Sequence, residues 1–136
     1  MAEIDITLPR NREYTDISMT FAKNPVTFDI ITLSGVDAVK RSIKNILMTQ
    51  TGEVPFFPAY GSRIRHLLFE PMDPITSALL QSEILASIAA FEPRVKVLGL
   101  LLDFDEDGNR YQVQLTIRLL NQIQPITLSL FLSRLR

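Results

Sequence analysis

The fold is decided by residues 91–119, FEPRVKVLGLLLDFDEDGNRYQVQLTIRL, where the hydrophobic pattern changes from helical to alternating. In residues 111–119 every second position is apolar and the positions between are polar, which is typical of a strand with one buried face. Residues 95–104 predict its partner strand, because the intervening residues 105–109 are rich in turn-forming types. The stretch therefore predicts an antiparallel hairpin that directly follows a helix.

A third strand is predicted after the break at residues 121–125. Its alternate positions are apolar and lie on one side: Ile126, Leu128, Leu130 and Leu132. The C-terminal part of the chain thus predicts a three-stranded antiparallel sheet.

Three helices are predicted before the sheet. Ser34 and Asp37 resemble a capping box that opens a helix over residues 35–50, and a short helix is expected near residues 62–69. Asp73 as N-cap and Pro74 at the first helical position predict a long helix over residues 74–91. We expect this helix to be mostly covered, because Glu83 is its only charged residue and its apolar stripe is broad: Ile75, Leu79, Leu80, Ile84, Leu85, Ile88 and Phe91.

The N-terminal residues 1–33 are irregular and predict an extended arm, followed by a single α+β domain over residues 34–136. A chain of 136 residues is about one domain long, and 46% apolar with 21% charged residues is typical of a protein with a core. The net charge of −1 lacks the basic excess that nucleic-acid binding requires. The sequence shows neither a signal peptide nor an apolar run of membrane-spanning length, and without cysteine it cannot form disulfides.

Several short motifs follow one another between residues 42 and 95. They are SIKNIL at 42–47, TGEVPF at 51–56, PAYG at 58–61, LLFEP at 67–71 and FEPRV at 91–95. In this order and spacing the chain resembles, over about residues 26–120, the T4-type baseplate wedge family of contractile phage tails, which includes the E subunit of the type VI secretion baseplate. One departure is Val54, where many relatives carry a basic residue.

The resemblance implies a structural subunit of the virion's tail baseplate, made in the host cytoplasm and present in six copies. It also implies that Glu92, Pro93 and Arg94 dock the subunit on the larger wedge proteins. Proline would end the helix, so that a carboxylate and a guanidinium project from a rigid corner and the arginine binds a partner through two hydrogen bonds. The residues themselves leave open an ion pair within the chain.

The resemblance further implies that the C-terminal sheet is similar to the inner handshake domain of the sheath protein, whose subunits exchange strands. Leu128, Leu130 and Leu132 would then belong to the strand that pairs with the first ring of sheath. Tube and hub proteins are further candidate partners, whereas neither nucleic acid nor a membrane is expected. Two alternatives remain: three strands that are simply paired and covered, and a subunit of a type VI or related injection baseplate.

A hydrolase is the competing hypothesis, because relatives have been named lysozymes. Glycoside hydrolysis needs two carboxylates across a cleft, one of them held protonated. Glu70, Asp73 and Glu92 lie beside prolines at element ends, where capping or solvation explains them, and no tryptophan is present to line a sugar groove. We therefore expect no catalytic residue.

No metal or cofactor is expected either. His66 lies four residues before Glu70, but no third ligand is spaced to join them. The acidic series at residues 103, 105 and 107 lacks the closing glutamate of a calcium loop, and a solvated hairpin tip explains it better.

Overall fold

The computed structural model describes residues 15–105 and 108–133. Within these ranges the chain forms two compact units that divide between Ala38 and Val39. The elements in chain order are β1 (Thr15–Ile17), β2 (Thr32–Ser34), α1 (Gly35–Met48), α2 (Ile64–Leu67), α3 (Pro74–Phe91), β3 (Val95–Asp105), β4 (Arg110–Leu119) and β5 (Ile126–Ser133). Helices followed by a C-terminal antiparallel sheet confirm the predicted α+β class.

The first unit is built on an antiparallel hairpin, in which β1 pairs with β2 and an isolated bridge joins Lys23 to Ile30. Its large apolar side chains lie at the surface: Ile17, Met19, Phe21, Val26, Phe28, Ile30 and Ile31. Residues 1–14 of the predicted arm lie outside the described residues. The boundary at residue 33 between arm and domain stays a prediction.

Helix α1 forms because apolar residues recur on one face at helical spacing, where Val39, Ile43 and Ile46 are all 0% exposed. It ends at Met48, slightly before the predicted end near residue 50. The chain after it turns to meet a later segment, since the Ser62 N–H donates to the Thr49 carbonyl at 2.9 Å and the Thr51 N–H donates to the Ser62 carbonyl at 3.2 Å.

Helix α3 has the predicted bounds because its start signal is local. The Asp73 carboxylate accepts a hydrogen bond from the Thr76 N–H at 2.6 Å, and Pro74 occupies the first turn, where its missing N–H costs nothing. Hydrogen bonds from the backbone N–H and from the side chain of Thr76 hold the pKa of Asp73 below its usual value.

The prediction that α3 is mostly covered is wrong. Its buried residues follow one stripe, Thr76, Leu80, Ile84, Ser87 and Ile88. Ile75, Leu79 and Leu85 are instead 70%, 53% and 40% exposed. The helix packs against α2 and β3, and the residues turned away from its buried stripe stay at the surface. By length and composition α3 could cross a membrane, but its buried stripe belongs to the core.

The three-stranded sheet has the order β3-β4-β5, and both pairings are antiparallel. The central strand β4 supplies most of the sheet's buried surface, since its five alternate residues are at most 2% exposed: Tyr111, Val113, Leu115, Ile117 and Leu119. This alternation was the strongest feature of the sequence, and the predicted hairpin and third strand are confirmed.

Two glycines should respond differently to alanine. Both have positive φ, +91° at Gly52 and +111° at Gly61, but only at Gly61 would a new Cβ clash, 2.6 Å from the Thr49 carbonyl oxygen. Gly52→Ala should lower the free energy of unfolding by about 1–2 kcal/mol, the backbone cost alone. Gly61→Ala should lower it further, because the backbone at Thr49 must also move. Urea unfolding measures both, and equal losses would contradict this packing.

Candidate protein-docking interface

The corner between α3 and β3, residues 92–94, is held by its backbone. The Glu92 N–H donates to the Ile88 carbonyl at 2.9 Å and completes the helix. The Leu120 N–H donates to the Arg94 carbonyl at 3.1 Å and joins the corner to the end of β4. Pro93 fixes φ between these two bonds and so restricts the backbone of the corner.

The Glu92 side chain points inward. It is 1% exposed. The Arg94 guanidinium forms a bidentate ion pair with it, in which Nε donates to one carboxylate oxygen and Nη2 donates to the other at 2.6 Å. The predicted projection of this carboxylate is therefore wrong, and the ion pair within the chain forms instead, because a buried carboxylate needs a cationic partner. Pro93 is exposed and the Arg94 side chain is 30% exposed, so the corner's accessible surface comes from these two residues.

The electrostatics of the corner keep Glu92 charged. Burial raises the pKa of Glu92, but hydrogen bonds from Arg94 and Ser42 and the Arg94 charge outweigh burial and lower the pKa below its ordinary value of 4.5. A general acid would need the opposite shift. Because the pKa of Glu92 is lower in the folded chain than in the unfolded chain, the ionised carboxylate stabilises the folded chain above pH 4.5. This contribution to the free energy of unfolding is lost as the pH falls through the lowered pKa.

The predicted partner strand β5 lies at one edge of the sheet. Leu128, Leu130 and Leu132 pair with Leu115, Val113 and Tyr111 of β4, so their side chains lie on the same face as the buried side chains of β4. Leu132 is buried and the other two leucines are half-buried. Among residues 15–105 and 108–133, no strand except β4 pairs with β5. The surface that β5 offers a partner is therefore its outer backbone edge.

The two edges of the sheet differ chemically. Strand β3 carries Lys96, Asp103 and Asp105, and its register shifts at a bulge between Val97 and Gly99. Charges and bulges are the usual devices that keep an edge from pairing. Strand β5, with the sequence ITLSLFLS, has no charged residue and pairs with β4 without a break in register. Of the two edges, β5 is the one suited to accept a strand.

An apolar groove lies beside this edge. It has a volume of about 200 Å³ and is formed by the end of α1, the α2 region and the end of β5. Its apolar lining includes Leu47, Met48, Ile64, Leu68 and Leu132. A strand added to β5 would direct alternate side chains to the core face of the sheet, where this groove could receive one of them.

The loop before α2 contributes an aromatic cluster. The ring centroids of Phe57 and Tyr60 lie 6.3 Å and 5.2 Å from that of Phe91, the last residue of α3. Between two prolines, Phe56 is fully exposed and has a positive φ of +67°. Phe57 and Tyr60 thus pack against the end of α3, whereas the Phe56 side chain lies in solvent.

The remaining candidates have structural roles. His66 exchanges a hydrogen bond of 2.9 Å with the Gln50 side chain, and Asp73 caps α3. Asp105 accepts hydrogen bonds from the Gly108 N–H and from Arg110 Nε at 3.1 Å and 2.9 Å, as expected for a hairpin tip, while residue 107 lies outside the described residues. Among residues 15–105 and 108–133, no group of His, Cys, Asp and Glu side chains could hold a metal ion.

A rigid corner, an uncharged sheet edge and an adjoining apolar groove are features of a protein that binds other proteins. Comparison with known sequences shows similarity to proteins of a multi-protein assembly. The family model of baseplate wedge protein gp25 matches residues 33–124. Baseplate wedge protein gp25 of Enterobacteria phage T4 is 30% identical over 89 residues, which is 65% of this chain and 67% of that protein. The chain therefore belongs to the baseplate wedge protein gp25 family.

Solved structures share the fold. A chain of the anti-feeding prophage baseplate superposes with a TM-score of 0.72 at 24% identity, over 82% of this chain and 90% of that one. A protein from Geobacter sulfurreducens that is named a tail lysozyme superposes with a TM-score of 0.71 at 22% identity, over 78% and 97%. At these identities the likeness concerns the fold and carries no activity across.

Proposed function

We propose that this chain is a structural subunit of a contractile tail baseplate in the virion, that it docks on larger wedge proteins, and that it starts the tail sheath by strand pairing. The observation that carries the proposal is the edge of β5, which is uncharged and regular while the opposite edge is charged and bulged. Membership of the wedge family supports the setting, and six copies would fit one subunit per wedge of a sixfold baseplate.

The wedge-binding surface is proposed at the corner formed by Pro93 and Arg94. Glu92 acts from within, because its buried carboxylate fixes two guanidinium nitrogens and so orients the exposed part of Arg94. Arginine held in this way loses little side-chain entropy when it meets a partner's carboxylate or carbonyl groups.

The sheath-binding surface is proposed at β5. Its outer edge would pair with a strand of the first sheath ring. Apolar side chains of the added strand would then pack beside Leu128, Leu130 and Leu132 on the core face of the sheet. Tube and hub proteins remain further candidate partners of the same particle.

We propose no hydrolase activity. Asp73 is engaged as a helix cap, and Glu92 is ion-paired with a lowered pKa, so neither is suited to donate a proton at neutral pH. Purified protein should leave peptidoglycan uncleaved in a clearing assay, with an active lysozyme as the reference. Clearing that is lost on Glu70→Gln would overturn this part of the proposal.

Cryo-electron microscopy of tail particles from the source tests the placement. We expect density for this chain between the wedge and the first sheath ring, with β5 paired to a sheath strand. A chain that is absent from the particle, or whose sheet does not touch sheath, would contradict the proposal. Capsid and terminase genes beside the coding gene would distinguish a phage from an injection machine with the same baseplate.

A further inference from the structure

The outward face of α3 is free of charge along its length. Ile75, Leu79 and Leu85 are 70%, 53% and 40% exposed. Small residues lie exposed beside them: Ala78, Ser82, Ala86, Ala89 and Ala90. A helix face in contact with water normally carries charged side chains, and a continuous apolar face marks an interaction surface. The helix has 18 residues and would offer a partner a ridge about 27 Å long.

A groove runs beside this face, between α2 and α3. Its volume is about 500 Å³. It is lined by Leu67 and Leu79 and by the polar residues Arg63, His66, Ser82 and Glu83. The apolar face therefore continues into a concave surface that has polar residues on both its α2 side and its α3 side.

The charges at the groove favour an acidic partner. Glu83, the one acidic residue that lines it, already accepts a hydrogen bond from the Arg63 N–H at 2.9 Å and lies 3.4 Å from Arg63 Nη2. The Arg63 side chain is 72% exposed, whereas that of Glu83 is 18% exposed. The solvent-facing charge beside the apolar face is consequently positive.

We propose that α2 and α3 form a docking groove for an amphipathic helix of another protein. Its apolar stripe would pack on Ile75, Leu79 and Ala86, and acidic residues on its flank would face Arg63. Small residues four apart on α3 let a second helix approach closely, because helices pack by fitting the ridges of one into the grooves of the other. This surface is additional to the corner and to β5, and the proposal stands whether or not either of those contacts a partner.

Two designed helical peptides of about the length of α3 test the proposal with the full chain. Both carry a leucine stripe at helical spacing, and one has glutamate flanks where the other has lysine flanks. The glutamate peptide should bind about tenfold tighter or more, and its affinity should fall as salt is added. Leu79→Gln should weaken binding about tenfold, because the peptide no longer buries a leucine there.

Ile123→Gln is the matched control, since Ile123 is 93% exposed and lies between β4 and β5. It should bind the glutamate peptide like the unchanged chain, and both variants should keep its thermal midpoint. Equal affinity for the two peptides, or unchanged binding by Leu79→Gln, would overturn the proposal. So would a dimer of the unchanged chain that Leu79→Gln dissociates in sedimentation, or binding to anionic vesicles without peptide binding, because the occupant would then be a second copy or a membrane.

Discussion

Arg94→Met should lower the free energy of unfolding by about 3–5 kcal/mol at neutral pH, because it leaves the Glu92 carboxylate buried without its partner. Glu92 is 1% exposed and cannot regain water unless the corner opens. Because the chain contains no tryptophan, denaturant unfolding should be followed by far-UV circular dichroism, which measures the loss of stability.

The pH dependence identifies the cause. Without the guanidinium, burial raises the pKa of Glu92, so the variant's deficit should be largest at neutral pH and shrink below the ordinary pKa of 4.5, where the carboxyl is neutral in the unfolded chain as well. Glu92→Gln combined with Arg94→Met should recover part of the stability, because no buried charge is then left unpaired.

Arg118→Met is the matched control, since Arg118 is exposed on β4 and the substitution is the same. It should change stability by no more than about 0.5 kcal/mol. If Arg94→Met were equally mild, the bidentate ion pair between Arg94 and Glu92 would contribute little. The corner would then owe its shape to the backbone hydrogen bonds alone.

The second large effect is expected at β5. Ser129→Lys together with Thr127→Lys places two charges on the exposed face of the edge strand and should reduce sheath attachment to the wedge at least about tenfold. Stability should change by no more than about 0.5 kcal/mol, because both side chains point to solvent. Co-sedimentation of sheath protein with assembled wedges measures attachment, and unfolding midpoints measure stability.

The control for this experiment lies on the opposite edge. Leu101 of β3 is 64% exposed, and Leu101→Lys adds a charge to a strand that already carries three charged residues. Sheath attachment should be retained. Equal loss from substitutions at both edges, or attachment that survives the β5 substitutions, would be incompatible with strand pairing at β5.

The elements specified by local sequence were predicted well. Asp73 and Pro74 mark the first turn of α3 by themselves, and the alternation in residues 111–119 requires one buried face. The family resemblance was likewise carried by short motifs whose order is visible in the chain.

Features that depend on the tertiary arrangement were predicted less well. The composition of α3 could not reveal which of its apolar residues would be buried, since large apolar residues occur all around the helix and only Glu83 is charged, and Leu79 was expected inside. The buried Glu92 carboxylate is held mainly by Arg94, with a further hydrogen bond from Ser42, which lies fifty positions earlier in the chain. The contrast between the two sheet edges was available, however: Lys96 and Asp103 on β3 against an uncharged run at residues 126–133.

The uncharged edge of β5 also bears on how the subunit can be handled before assembly. Two copies that met edge to edge along β5 would continue one sheet across both molecules, and no charge on either strand would oppose this. Such pairing would be isologous and would stop at a dimer, because the free edge left on each molecule would be the charged and bulged β3. A dimer joined in this way would cover the edge proposed to receive sheath, so we expect self-association of the free subunit to compete with assembly.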